Sequence, residues 1–121
     1  MIKIMYVEDD LDTLNVVKLI LEKRGYKVIG ALNGKQALEK LKKAKVDLIL
    51  LDIMLPDLSG WDLFQRIRST DKKIKMAFLS AIPVSDERRK SLRKSGISDY
   101  IMKPFTKESL IQRIESIVSK K

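Results

Sequence analysis

The sequence predicts an α/β protein, a doubly wound sandwich of five parallel strands with helices on both faces of the sheet. Three observations carry that reading. A short, β-branched apolar run followed by an amphipathic stretch recurs five times along the chain. Several of these runs are apolar on consecutive residues, as expected of strands covered on both faces. The intervening stretches place their apolar residues at helical spacing, and alternating strands and helices close into a parallel sheet.

The strand candidates are Ile2 to Val7, Tyr26 to Ala31, Asp47 to Leu51, Met76 to Ser80 and Asp99 to Met102. Leu14, Val17, Ile20 and Leu21 mark the apolar face of the first helix, and Ala37, Leu38 and Leu41 that of the second. Leu63, Phe64 and Ile67 mark the third, and Leu110, Ile111, Ile114, Ile117 and Val118 the last. Gly25 after Lys23-Arg24 and Gly96 after Arg93-Lys94 each follow a cationic last turn, a helix stop signal. Between Val84 and Ser95 the pattern is weakest. Arg88, Arg89, Lys90, Arg93 and Lys94 crowd it, and Leu92 is nearly alone as a core contact. With little apolar area to bury, this helix is expected to be the most mobile element.

Composition narrows the functional classes. The chain has 121 residues with no Pro/Gly/Ser linker or low-complexity tract, so residues 1–121 read as one domain. The absence of cysteine excludes disulfides and thiolate metal sites, and the absence of histidine removes imidazole chemistry and excludes a phosphohistidine protein. No signal-peptide pattern opens the chain and no apolar run reaches the length of a membrane span, so the expected location is the cytoplasm. The balance of 25 basic against 16 acidic residues admits nucleic acid, a membrane surface or an acidic protein as partner. Its basic residues are spread over several segments without interleaved aromatics, so nucleic acid binding by this domain alone is not expected.

In a parallel α/β sheet the functional crevice lies beyond the carboxyl ends of the strands. There this sequence carries Glu8 and Asp9 after the first strand, Asp52 after the third, Ser80 at the end of the fourth, and Lys103 after the fifth. Each has a structural reading of its own. Asp10 is suited to cap the helix starting near Leu11, and Asp52 to cap a turn before Pro56. Together, three carboxylates in one crevice repel by roughly several kcal/mol unless a cation intervenes. Oxygen ligands without Cys or His point to Mg²⁺, which accepts one or two carboxylates plus a phosphate. Lys103 adds a second positive charge and Ser80 a rotatable hydroxyl, a set that suits phosphoryl transfer to an aspartate.

The segments Val7-Glu8-Asp9-Asp10, Leu51-Asp52-Ile53-Met54-Leu55-Pro56 leading to Gly60, Leu79-Ser80-Ala81, and Tyr100-Ile101-Met102-Lys103-Pro104-Phe105 together resemble the receiver domain of two-component response regulators. The resemblance spans essentially the whole chain. It implies a (βα)5 flavodoxin-like fold with strand order 2-1-3-4-5. By position, Asp52 resembles the phosphoacceptor, with Asp9 and Asp52 as direct Mg²⁺ ligands. The Met54 backbone carbonyl resembles the third ligand, and Glu8 the residue that holds a metal-bound water. Lys103 resembles the lysine that pairs with the phosphoryl oxygens, the Lys103-Pro104 bond is expected to be cis, and Ser80 and Tyr100 resemble the switch pair. The implied partners are a sensor histidine kinase or phosphotransfer protein, and an output partner or effector domain at the face built from the fourth helix, fifth strand and last helix. No effector segment follows Ser119, so the chain either stands alone or is the receiver part of a longer protein.

Three alternatives remain at this point. An Mg²⁺-dependent phosphohydrolase of the haloacid dehalogenase type would need an acid two residues after Asp52, where Met54 stands. A flavodoxin-like FMN carrier would need a hydroxyl- and amide-rich phosphate loop where Glu8-Asp9-Asp10 stand. A degenerate receiver that signals without phosphate is disfavoured by the full set of motifs.

Overall fold

The computed structural model describes residues 1–120, so of the expected domain span only Lys121 lies outside the described residues. Strands β1 (Lys3–Val7), β2 (Lys27–Ala31), β3 (Leu48–Leu51), β4 (Lys75–Ser80) and β5 (Ile97–Met102) alternate with helices α1 (Leu11–Lys23), α2 (Gly34–Leu41), α3 (Gly60–Thr70), α4 (Asp86–Lys94) and α5 (Lys107–Ser119). All strand pairings are parallel and the order is β2-β1-β3-β4-β5, as the resemblance implied.

The consecutive apolar runs are explained by two cores, one on each face of the sheet. Ile4 and Tyr6 of β1 enter the core under α1 and α5, together with Leu14, Leu21, Leu110 and Ile114. Met5 and Val7, alternating with them, enter the core under α2, α3 and α4, with Ala37, Leu63, Phe64 and Leu92. Every residue of β3 is buried, because β3 lies between β1 and β4 with helices on both sides.

Helix starts follow local chemistry. Asn33, Ser59, Ser85 and Thr106 each accept a hydrogen bond from a backbone N–H in the first turn of α2, α3, α4 and α5. Asp10 holds the N-cap position of α1 as expected, but its carboxylate accepts from the Thr13 hydroxyl and caps no backbone N–H. The stops at Gly25 and Gly96 have φ of +92° and +104°, a left-handed turn that glycine enters without a Cβ penalty. Of α4, only Leu92 is buried.

One element starts elsewhere than the sequence suggests. Strand β5 begins at Ile97, two residues before Asp99, because Met76 pairs with Ile97 while Ala77 pairs with Asp99. The extra residue, Ser98, bulges out exposed on this edge strand. Smaller differences, of one residue, occur at the starts of β1 to β4.

The loop from β3 to α3 is tied on both sides. The Asp57 carboxylate accepts the backbone N–H groups of Gly34 and Lys35 at 2.9 Å each, joining this loop to the start of α2. At its other end the Gly60 N–H donates to the Ile53 carbonyl at 2.8 Å. A Cβ at Gly60 would lie 2.2 Å from the Asp52 carbonyl oxygen and 2.8 Å from the Ile53 Cα, both rigid backbone atoms. Gly60→Ala is therefore expected to destabilise the fold by roughly 2–4 kcal/mol and to displace Asp52. Urea denaturation should show a clear fall in midpoint, against a loss of about 1 kcal/mol for Gly25→Ala, where the space is open.

Candidate functional site

The strand ends bring together residues that are far apart in sequence. Glu8 and Asp9 follow β1, Asp52 follows β3, and Lys103 directly follows β5 and precedes a cis Lys103-Pro104 bond. Backbone hydrogen bonds from Asp52 to Val7 at 3.1 Å and from Lys103 to Ser80 at 2.9 Å extend the sheet ladders just past the assigned strands. Those bonds set where the side chains start.

Carboxylate oxygens of Glu8, Asp9 and Asp52 all lie within 4.8 Å of one another. Glu8 and Asp52 are buried, while Asp9 is exposed at the mouth. The Lys103 ammonium bridges the two buried acids, bonding to Glu8 Oε1 and to Asp52 Oδ2 at 3.2 Å. A single ammonium thus faces three clustered carboxylates. The donor set is oxygen only and open to solvent on the Asp9 side, which fits a hard divalent cation such as Mg²⁺.

Burial and charge set the protonation of the cluster. Burial raises the Asp52 carboxyl above the usual aspartate range, with Lys103 opposing and Glu8 reinforcing the rise. Burial also works against ionisation of Glu8, but hydrogen bonds from Lys103, the Asp10 N–H and the Tyr6 hydroxyl outweigh it and hold Glu8 low. Asp9 is raised, by its partial burial and then by Glu8. Burial disfavours the charged form of Lys103, yet its two carboxylate partners raise it overall.

Tyr6 was not among the residues the sequence singled out. Its hydroxyl donates to Glu8 Oε1 at 2.8 Å and, with the Asp10 N–H on Oε2 at 3.1 Å, it fixes the orientation of Glu8. The available signal was spacing, since residues two apart along a strand direction project to the same side. Both Glu8 oxygens therefore have protein partners, beyond the water-holding role the resemblance implied.

Ser80 is buried at the end of β4, and its Oγ accepts the Ile82 N–H at 3.2 Å. Tyr100 is buried as well, and its hydroxyl donates to the Ile82 carbonyl. Both members of the expected switch pair thus hold the same residue of the loop after β4. Burial raises the Tyr100 hydroxyl, and Ser80 and Arg89 oppose that rise. The Arg89 guanidinium lies 5.5 Å from the Tyr100 ring centroid and donates to the Tyr100 carbonyl at 2.9 Å. Met54 is exposed at its side chain, and its N–H donates to Asp52 Oδ1 at 3.2 Å, the turn that sequence reasoning expected Asp52 to cap.

The model of the response regulator receiver domain family matches residues 4–115. The chain belongs to that family. The probable transcriptional regulatory protein SilR of Salmonella typhimurium is 36% identical over 116 residues, covering 96% of this receiver and 50% of SilR. The transcriptional regulatory protein TrcR of Mycobacterium tuberculosis is 35% identical over 117 residues, covering 97% of the receiver and 45% of TrcR. The receiver thus spans about half the length of these relatives. The non-phosphorylated HemR receiver domain of Leptospira biflexa superposes with TM-score 0.91 at 30% identity, covering 100% of this chain and 97% of that one. The response regulator TrrA of Thermotoga maritima, solved with Mg²⁺ and BeF, superposes with TM-score 0.83 at 29% identity, covering 97% and 99%. No helix among the described residues is long and apolar enough to cross a membrane.

Crowding in the receiver has a measurable consequence. Asp52→Asn removes one of three clustered charges while keeping the side-chain shape, so it should stabilise the fold in the presence of a chelator. A gain of about 1 kcal/mol would raise the melting temperature by roughly 3–8 °C. Because the folded-state carboxyl is raised, the folded protein binds the proton more tightly, and wild-type stability falls as pH rises through that interval. The advantage of Asp52→Asn should be absent below about pH 3.9, the ordinary aspartate value, and complete above the raised one. Melting curves of both proteins across that range check it.

Proposed function

We propose that this receiver accepts a phosphoryl group on Asp52 from a sensor histidine kinase or phosphotransfer protein, with Mg²⁺, in the cytoplasm. The observation that carries the reading is the meeting of Asp9, Asp52 and Glu8 with Lys103 at one point of the sheet edge. The complex of TrrA with Mg²⁺ and BeF supports it by analogy.

In this reading Asp9, Asp52 and the Met54 carbonyl would hold Mg²⁺ directly, and Glu8 would hold one of its waters. When bound, the cation supplies positive charge against the oxygens of the incoming phosphate. A carboxylate oxygen of Asp52 attacks phosphorus as the bond from phosphorus to the donor atom breaks, leaving the donor with the electron pair. Lys103, now 3.2 Å from Asp52 Oδ2, turns its ammonium to a phosphoryl oxygen and stabilises the added charge. Apart from this self-directed transfer and the hydrolysis of the resulting aspartyl phosphate to Asp52 and inorganic phosphate, no catalytic turnover is assigned to the domain.

Ser80 and Tyr100 are proposed as the switch. The Ser80 hydroxyl donates to the phosphoryl oxygen, which changes its contact with the Ile82 N–H, and Ile82 is also the acceptor for Tyr100. The result reaches α4 through Arg89 and Tyr100. The output surface is the α4–β5–α5 face, where a groove of about 620 Å³ includes Arg93, Asp99, Gln112 and Arg113. On the last helix of this face, Glu115 is paired with Arg24 within the chain at 2.8 Å, while Glu108 is exposed.

Mg²⁺-dependent labelling by a small-molecule phosphodonor tests the assignment. Wild type should label stoichiometrically and Asp52→Asn should not; persistent labelling of that variant rejects Asp52 as the acceptor. On the output face, Lys90→Glu with Arg93→Glu should weaken binding of an acidic partner and reduce its salt sensitivity. Arg89 is left unchanged there because it also holds Tyr100. An affinity that ignores both salt and these substitutions would count against the surface.

Phosphoryl lifetime follows from the residues flanking the site. A hydrolytic water needs a polar group to hold it in line with Asp52. Met54, two residues past Asp52, and Ile82, two past Ser80, are both apolar. Loss of one water-positioning hydrogen bond slows a reaction by roughly tenfold to a hundredfold. Met54→Asn and Ile82→Glu should each shorten the phosphorylated state, measured as decay after donor removal. If neither decays faster than wild type, water access at these positions does not set the lifetime.

A further inference from the structure

The C-terminal ends of α2 and α3 and the loops that follow them meet at the pole of the sheet opposite Asp52. Between them lies a groove of about 370 Å³, with Leu41, Ala44, Val46, Ile67 and Ile74 among its lining. Ile67 is buried at its base. Leu41, Val46 and Ile74 pack against the core from one side yet remain half-buried. This volume lies at the lower end of the range of about 300–1,000 Å³ typical of ligand sites.

The rim is basic. Lys45 and Lys73 line the groove, and Lys42, Lys43 and Lys72, next to lining residues in the chain, are exposed. Among the described residues none of these five lysines forms an ion pair. The acid in the lining, Asp71, accepts the backbone N–H groups of Lys73 and Ile74 at 2.9 and 3.1 Å, so its charge is partly spent on its own turn. Cations at a helix C-terminus commonly offset the helix dipole, but that effect fades within the last turn. Lys45, Lys72 and Lys73 lie beyond the ends of α2 at Leu41 and α3 at Thr70. Dipole compensation also gives no reason for an apolar concavity.

We propose that this groove is a second interaction surface, separate from the α4–β5–α5 face, that binds an acidic protein segment carrying a bulky apolar anchor. The anchor displaces water from Leu41, Val46, Ile67 and Ile74 while glutamates or aspartates on either side face the lysines. A nucleic acid duplex would engage the lysines through its phosphates but leaves the apolar base unused. A bilayer calls for apolar side chains that project, whereas these line a concavity. Exposed lysines speed association and make it salt-sensitive, and the buried anchor sets the residence time.

The probe is a short fluorescent peptide in which glutamates flank a leucine–phenylalanine pair, followed by anisotropy with the whole chain. Ala44→Phe, which fills the groove without changing charge, should weaken binding about tenfold. Lys45→Glu with Lys73→Glu should weaken it to a similar degree and flatten its salt dependence. Lys35→Glu with Lys107→Glu, an equal change of charge near the other pole, should leave it unchanged. In the unaltered protein, amide and methyl NMR shifts on peptide addition should centre on Leu41, Val46 and Ile74. The proposal is overturned if the shifts centre elsewhere or if an all-glutamate peptide binds as tightly as the probe. Tighter binding of a mixed-sequence duplex or of anionic phosphatidylserine vesicles would overturn it equally. Labelling at Asp52 is read separately, so either reading can fail alone.

Discussion

One ammonium among three carboxylates is the constraint around which this molecule is arranged. Lys103 reaches Glu8 and Asp52 only because β5, β3 and β1 all end at the same edge of one parallel sheet. Remove the lysine and two buried acids face each other with a third at the mouth, a costly arrangement at low dielectric. Tyr6, the Asp10 N–H and the Met54 N–H share the work of holding the acids, and each comes from β1 or the turn after a strand. Gly60 then backs the Asp52 carbonyl so closely that no side chain fits between. The site is under electrostatic strain, and a divalent cation would relieve it.

The same parallel topology aligns every helix in one sense, so the molecule is polar in charge. First turns carry Asp12, Asp62, Asp86, Glu87 and Glu108, near the carboxylate cluster. Last turns carry Lys23, Lys40, Arg68, Arg93 and Lys94 at the far pole. Helix dipoles favour this distribution at each end. Beyond it, the loops after α2 and α3 add lysines that no dipole requires, which is where the second surface is proposed.

From the site to α4 the contacts run through aromatic rings as well as hydrogen bonds. Phe78 lies between Trp61 and Tyr100, with centroids 4.6 and 6.0 Å away. Arg88 sits 4.8 Å over Trp61 and Arg89 5.5 Å over Tyr100, so successive residues of α4 rest on both ends of this row. Only Leu92 of α4 is buried, and these two arginines add contacts to aromatic rings of α3 and β5. A helix with one buried side chain can shift when Tyr100 or the Ser80–Ile82 contact changes, with little apolar burial lost.

By itself the sequence determined the element order, the parallel sheet and the residues of the cluster, because each leaves a local or positional mark. Consecutive apolar residues report strands covered on both faces, and glycines after cationic turns report helix ends. Glu8, Asp9, Asp52, Ser80 and Lys103 were legible because strand ends in such a sheet must converge. What only the tertiary structure decided depends on partners distant in the chain. The bulge at Ser98 follows from the register of β5 on β4, and the approach of Gly60 to the Asp52 carbonyl from the path of one loop. The pairing of Glu115 with Arg24 likewise has no local signature. Lys45 and Lys73, far apart in the chain, line one apolar groove, because the fold returns the loops after α2 and α3 to the same pole. Charge in a sequence can be counted, but its field depends on distances that only folding sets.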